Sequence, residues 1–280
     1  MIGVFDSGLG GLSVWRSLKT ALPGRATLYL ADQARAPFGP RPLDEVRALT
    51  LDCLGWLIGR GCRTVVIACN TATAAAADAA RARWPDISIV GIEPAIKPAA
   101  LATRTGAIGV LATQATFESP RYAALVDRYA APLHILARAC PQWVQLVEDG
   151  PRQRIDAAML VAAEIFPLLD AGADQLVLGC THFPLLLPWI NEAVSTWQTQ
   201  RGVARAIQVL DPAPAVARQA ARVERTAAGA LARDQFWTTG DALRFSVRAA
   251  DALGEDWTQG PCEALALNAL NSTDLTKSSS

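Results

Sequence analysis

Two of the six cysteines sit in matching surroundings. Residues 65–74 read VVIACNTATA and residues 176–185 read LVLGCTHFPL. Each stretch runs an apolar strand into a thiol, Cys69 or Cys180, and follows it with Asn70-Thr71 or Thr181-His182. A thiol at the first turn of a helix meets free backbone N–H groups and the positive end of the helix dipole. Both favour the thiolate and are expected to lower the thiol pKa from about 8.5. The same N–H groups, with Asn70, Thr71 and Thr181, can hold a carboxylate. Each turn thus offers a base beside an anion cradle. Two such turns facing across a cleft suit the inversion of a carbon that bears a hydrogen. One group removes the proton from one face and the other returns a proton to the opposite face. A thiolate and a thiol run this reaction in both directions by exchanging roles. Asp6 is expected to assist Cys69, and His182 to assist Cys180.

Each feature alone has a plainer reading. A buried strand cysteine is ordinary core filler, Asp6-Ser7 can be a helix N-cap, and a single histidine can be a packed or capping side chain. Together they occupy the carboxyl ends of strands, where open α/β sheets bind ligands. Four such ends carry polar residues: FDSGLGG (5–11), ADQARAPFGP (31–40), ACNTAT (68–73) and GCTHFPLL (179–186).

The elements behind these ends follow from the hydrophobic pattern. Apolar runs at 2–5, 27–31, 64–68, 87–92, 107–112, 132–137, 174–179, 206–210 and 235–239 read as strands, and amphipathic segments such as 43–60 and 154–172 lie between them. Continuous apolar strands separated by helices predict an α/β fold of parallel sheets covered on both faces. The pattern repeats. A strand ending at Asp6-Ser7 precedes Cys69, and a strand ending at Thr113 precedes Cys180 at a similar interval. This predicts two similar α/β halves, each contributing one strand-end cysteine. The chain divides into residues 1–96 plus 208–265 as a discontinuous first domain and 97–207 as the second. Residues 266–280 form an expected disordered tail ending NSTDLTKSSS.

Composition narrows the function. The 26 basic and 26 acidic residues cancel, so no global field points to nucleic acid or a membrane surface. No run approaches a membrane span, and the N-terminal MIGVFDSGLG lacks the regions of a signal peptide. The scattered cysteines show no C-x-x-C, which favours reduced thiols in the cytoplasm over disulfides or a metal site. No cofactor is expected. A pyridoxal mechanism needs a pocket lysine, and Lys19, Lys97 and Lys277 all lie away from strand ends. Gly8, Gly10 and Gly11 do not form G-x-G-x-x-G, which leaves a dinucleotide site only Asp32 in its favour.

Taken in order, GVFDSGLGGLSV, ADQARAPFGP, VVIACNTATA, GIEPAIKPA, GVLATQAT, CPQWVQLVEDG, LVLGCTHFPLL and FWTTGD resemble the segments of bacterial glutamate racemases over residues 2–241. The resemblance implies a cofactor-independent racemase of L- and D-glutamate that supplies D-glutamate for peptidoglycan. It also implies two α/β domains related by pseudo-two-fold symmetry, with the site between them, and assembly as a homodimer. Cys69 and Cys180 match the acid/base pair. Asp6-Ser7, Phe38-Gly39, Asn70-Thr71 and Thr181-His182 match substrate-contacting positions, and Glu148 matches an acidic residue near the amino group. Phe38 stands where the family usually has Tyr, and Gln33 where Asn or Thr is more familiar. The residues leave two other readings open: a related racemase acting on aspartate or a hydantoin, and a two-domain protein that closes on a carboxylate without chemistry.

Overall fold

The structure, a computed structural model, describes residues 1–224, 233–254 and 262–270. Its first half alternates strands and helices: β1 (Ile2–Asp6), α1 (Leu12–Ala21), β2 (Thr27–Ala31), α2 (Leu43–Gly59), β3 (Thr64–Ile67), α3 (Asn70–Arg83) and β4 (Ser88–Gly91). The second continues with α4 (Ile96–Ala102), β5 (Ala107–Ala112), α5 (Gln114–Phe117), α6 (Pro120–Ala130), β6 (His134–Ala139), α7 (Pro141–Asp149), α8 (Ala157–Asp170), β7 (Gln175–Gly179), α9 (Leu187–Arg201) and β8 (Gln208–Leu210). The remainder is α10 (Ala213–Val223), β9 (Gln235–Thr238), α11 (Ala242–Leu253) and β10 (Glu263–Ala264). All nine strands anticipated from the apolar runs are present, with the short β10 added.

The strands form a six-stranded sheet, β10-β9-β2-β1-β3-β4, and a four-stranded sheet, β6-β5-β7-β8. Every pairing among the described residues is parallel. Within the larger sheet, β2-β1-β3-β4 has the same order as β6-β5-β7-β8, which makes the two halves topological copies. The copies carry β3 and β7, and therefore Cys69 and Cys180, at equivalent places beside the central strands β1 and β5.

Side chains alternate across each sheet, as strand geometry requires. Ile2 and Val4 of β1, Leu111 of β5 and Leu176 and Leu178 of β7 enter one apolar cluster that continues from one half into the other. Phe5 faces a cluster confined to the first half, and Ile108, Val110 and Val177 face one confined to the second. The shared cluster fixes the strand ends of both halves relative to each other.

Two expectations change. The strand at 208–210 pairs with β7, with Gln208 opposite Gln175, so the second sheet extends through Leu210. The chain turns back to the first half only at α10, which packs on α1 and against β3 and β4. An apolar strand fits either sheet, and the pairing register, invisible in one sequence, decides. The tail was expected to begin at 266, yet Leu267–Ala269 forms a short 3-10 helix and Leu265 and Leu270 are buried in the first half's cluster. Burial of these leucines anchors the segment. Residues 271–280 lie outside the described residues.

Candidate active site

The cysteine turns differ in how their backbone continues. Cys69 is the N-cap of α3, and its Sγ accepts the backbone N–H of Ala72 at 3.4 Å. The alanine-rich α3 has high intrinsic helix propensity, and its small side chains let it lie close on α2. Arg81 and Arg83 occupy its last turn, where they complement the dipole. Cys180 instead leads through Thr181 and His182 into a short 3-10 segment, Phe183–Leu186, before α9 begins.

Both thiols line one cleft of about 640 Å³ between the halves. From the residues singled out in the sequence, Ser7, Phe38, Gly39, Asn70, Thr71, Glu148, Thr181 and His182 line it too. Asp6 does not. It is fully buried beneath the floor, where Oδ1 accepts the Gly8 N–H at 2.8 Å and Oδ2 accepts the Thr181 hydroxyl at 3.1 Å. Both side-chain polar atoms of Asn70 are buried without a partner among the described residues. Buried amides are normally satisfied, so this one is open to a ligand in the cleft.

Protonation separates the two sides. Ser7 Oγ donates to Cys69 Sγ at 3.7 Å, but burial pushes the Cys69 thiol up to about 12, and the neighbouring Asp6 adds to the effect. The expected lowering by the helix N-terminus is therefore overturned at Cys69, because desolvation of the thiolate outweighs the Ala72 N–H and the Ser7 hydroxyl. Burial also raises Asp6 to about 6, against the opposing pull of His182 and the two hydrogen bonds.

On the other side, Cys180 Sγ lies 3.7 Å from His182 Nδ1, and His182 Nε2 lies 2.8 Å from Glu148 Oε1. Burial works against a charged His182, yet the bonds to Cys180 and Glu148 hold it well above the usual histidine range. Glu148 is pulled below its ordinary range, its own burial outweighed by hydrogen bonds from His182, Leu9 and Gln33. The result is a carboxylate–imidazolium pair with the Cys180 sulfur at its open end.

The glycines of FDSGLGG serve this packing rather than a phosphate. A Cβ on Gly8 would fall on Glu148 Oε1, and one on Gly10 would fall on His182 Nδ1 and the Thr181 hydroxyl. The loop and the first turn of α1 also donate to the second half: Leu9 N–H donates to Glu148 Oε1 at 2.7 Å, and Ser13 Oγ donates to the Thr181 carbonyl at 3.0 Å.

Sequence reasoning missed several lining residues. Thr113 shares a 3.1 Å hydrogen bond with Thr71 across the cleft. Its placement at the end of β5 mirrors Ser7 at the end of β1, a signal present in the internal repeat. Gln114, Gln145, Asp241 and Arg244 also line the cleft. Arg244 Nη2 reaches Asp149 Oδ1 at 3.4 Å between the halves.

A doubly repeated parallel α/β fold with a cysteine at each equivalent strand end defines a two-thiol enzyme class. The sequence profile of the Asp/Glu/Hydantoin racemase family matches residues 2–220, and the chain belongs to that family. A glutamate racemase of Roseiflexus sp. (strain RS-1) is 45% identical over 254 residues, 88% of this chain and 89% of that protein. One from Ectopseudomonas mendocina (strain ymp) is 40% identical over 258 residues, 91% of this chain and 95% of that protein. Among solved structures, Thermus thermophilus glutamate racemase in complex with β-chloro-D-alanine superposes with a TM-score of 0.75 at 31% identity, covering 96% of this chain and 97% of the other. Escherichia coli glutamate racemase in complex with L-glutamate and the activator UDP-MurNAc-Ala gives a TM-score of 0.79 at 26% identity, covering 95% and 97%.

Proposed function

We propose that this chain is a glutamate racemase that interconverts L- and D-glutamate by proton transfer at Cα between two cysteines. The observation that carries this is the pair of equivalent strand-end thiols, Cys69 and Cys180, opening on one cleft. Their relatives named as glutamate racemases support the substrate. The unpaired amide of Asn70, with Thr71 and Thr181, supplies the polar contacts for the amino-acid end. Phe38 and Gly39 line the wall where the backbone, rather than a phenol hydroxyl, is available to the side-chain carboxylate.

In one direction Cys180 acts as thiolate with the His182 imidazolium as its counter-charge, and removes the Cα proton on its face. Cys69, held as the thiol by burial, delivers its proton to the opposite face. The carbanion exists only between these two transfers. In the other direction Cys69 must become the thiolate. The Ala72 N–H and Ser7 hydroxyl then stabilise the sulfur, and Asp6, raised to about 6, titrates close enough to neutrality to tune it. No step requires a cofactor.

Division into two domains at the boundary between the sheets belongs to the same proposal. So do a homodimeric assembly, a cytoplasmic location and the supply of D-glutamate to peptidoglycan. No described helix is long and apolar enough to cross a membrane. The deciding experiment incubates the protein with L-glutamate in deuterated water without added cofactor. Circular dichroism should decay to zero ellipticity, and the D-glutamate formed should carry solvent deuterium at Cα. Absence of conversion, inversion without label, or turnover of aspartate or a hydantoin far above glutamate would reverse the assignment. Light scattering tests the dimer.

A further inference from the structure

We propose that Gln33 is a positioning residue that locks Glu148 against His182 across the two halves, so that the His182–Glu148 ion pair depends on an amide supplied from the opposite sheet. Gln33 follows β2 in the first half, whereas Glu148 lies in the last turn of α7 in the second. Its Nε2 donates to Glu148 Oε2 at 2.9 Å, and its Oε1 accepts the Thr238 hydroxyl at 2.9 Å. Thr238 is in turn fixed in β9, and its hydroxyl oxygen accepts the Gly240 N–H at 3.0 Å. The amide is therefore used at both ends: it is held by the six-stranded sheet and aimed at the carboxylate.

The two oxygens of Glu148 divide the work. Oε1 takes the Leu9 N–H and His182 Nε2 at 2.7 and 2.8 Å, and Oε2 takes Gln33. With both oxygens engaged, the carboxylate cannot rotate away from the imidazole. Removing the Gln33 donor frees one oxygen and weakens the ionised form of Glu148, since a hydrogen bond to a charged group favours the charge. The length of Gln33 is what spans the gap. Asn would fall short of one partner by about 1.5 Å, the length of one carbon–carbon bond. Gly240 completes the fit, because a Cβ there would lie 2.9 Å from the Gln33 Cβ.

Among the described residues, these charged and titratable groups surround the pair. His182 faces Cys180, Glu148 and the buried Asp6, and Glu148 faces His182, Asp6 and the buried Tyr29 hydroxyl. Asp149, next in the chain, is engaged by Arg244. None of these replaces a neutral donor at Oε2.

The catalytic consequence rests on the racemase reading; the electrostatic consequence stands on geometry alone. The test therefore has two arms. The chain contains 2 histidines, His134 and His182, so nuclear magnetic resonance can follow each imidazole through a pH titration. In Gln33→Met the His182 midpoint should fall by about half a pH unit or more, while exposed His134 stays put. Gln33→Asn should give a shift of the same sign, and serves if the Met variant does not fold. An unchanged His182 midpoint in a folded variant overturns the proposal, whatever the protein does with glutamate.

The second arm is a double-mutant cycle on kcat/KM for glutamate. Gln33→Met should lower it about tenfold in the native background, the kinetic equivalent of one hydrogen bond to a charged group. In a Glu148→Gln background the same change should cost less than about twofold. Equal losses in both backgrounds would show that Gln33 acts elsewhere, and overturn the proposal. Failure of the unaltered protein to racemise glutamate would sink the functional assignment, leaving the titration to decide on Gln33.

Discussion

The Cys69 side and the Cys180 side stand on equivalent strands of equivalent sheets, yet hold their protons differently. Cys69 lies over a helix N-terminus, a serine hydroxyl and a buried carboxyl poised near neutrality. Cys180 lies beside an imidazole whose charged form is favoured by its bonds to Cys180 itself and to Glu148. Symmetry of the backbone supplies the two faces of attack, and asymmetry of the supporting side chains sets a buried carboxyl and a hydroxyl behind one sulfur and a carboxylate–imidazolium pair behind the other. A two-base reaction at a single carbon needs both.

The most severe way to break the comparison is to remove one thiol. Cys69→Ala and Cys180→Ala should each reduce inversion by about 10³-fold or more, within the range a positioned acid or base contributes. Because the enantiomers have equal free energy in water, kcat/KM must fall equally in both directions, so rates alone do not tell the sides apart. Hydrogen exchange does. Each variant keeps one base, and should wash solvent deuterium into Cα of one enantiomer only, the opposite one in each variant. Exchange into the same enantiomer by both would break the two-face arrangement.

Next in size is the glycine loop that lets the halves meet. Gly8→Ala places a methyl on Glu148 Oε1, and should lower kcat/KM about 10²-fold through displacement of the catalytic pair. Activity within twofold of the native protein would show that the loop has room to move.

Asp6 tests the carboxyl behind Cys69, which also reaches Thr181 and His182 on the other side. Burial lifts its pKa to about 6, so the folded protein binds its proton more tightly than the unfolded chain. Stability from the neutral form is present at low pH and lost as pH rises from the ordinary carboxylate range through about 6. Asp6→Asn should therefore raise unfolding free energy at pH 7 by up to about 3 kcal/mol, with the gain fading below pH 4, while kcat falls about tenfold or more. Denaturant melts at the two pH values read this directly. A pH-independent difference would remove Asp6 from the proton inventory of the site.

The smallest effect belongs to Phe38, buried against Phe5 with ring centroids 6.2 Å apart. If the Phe38–Gly39 backbone contacts the substrate, restoring a phenol by Phe38→Tyr should change KM less than about threefold. A larger drop in KM would mean that a missing hydroxyl limits this cleft, since one hydrogen bond is worth about 1 kcal/mol.

Legibility differed between fold and site for reasons that particular residues show. The strands around Cys69 and Cys180 were readable because fully buried parallel strands are continuous apolar runs, and turn residues follow them directly. The placement of Gln208–Leu210 was not, because an apolar strand does not announce which sheet it joins. FDSGLGG looked like an imperfect phosphate loop, and its glycines make sense only against Glu148 and His182, whose positions in the chain lie far away. Thr113 was visible as the counterpart of Ser7 but was not assigned a role, and Arg244 carried no local signal at all.

The sequence by itself determined the α/β class, the internal repeat and the two strand-end cysteines, because backbone pattern and side-chain order are local properties. Only the tertiary structure decided the protonation of Cys69 and of the pair beside Cys180. Burial lifted Cys69 where helix geometry alone predicted the reverse, and His182 is raised by Cys180 beside it and by Glu148, 34 residues away in the chain. Desolvation and charge pairing depend on what surrounds a group in space, and the order of residues along the chain does not contain that distance.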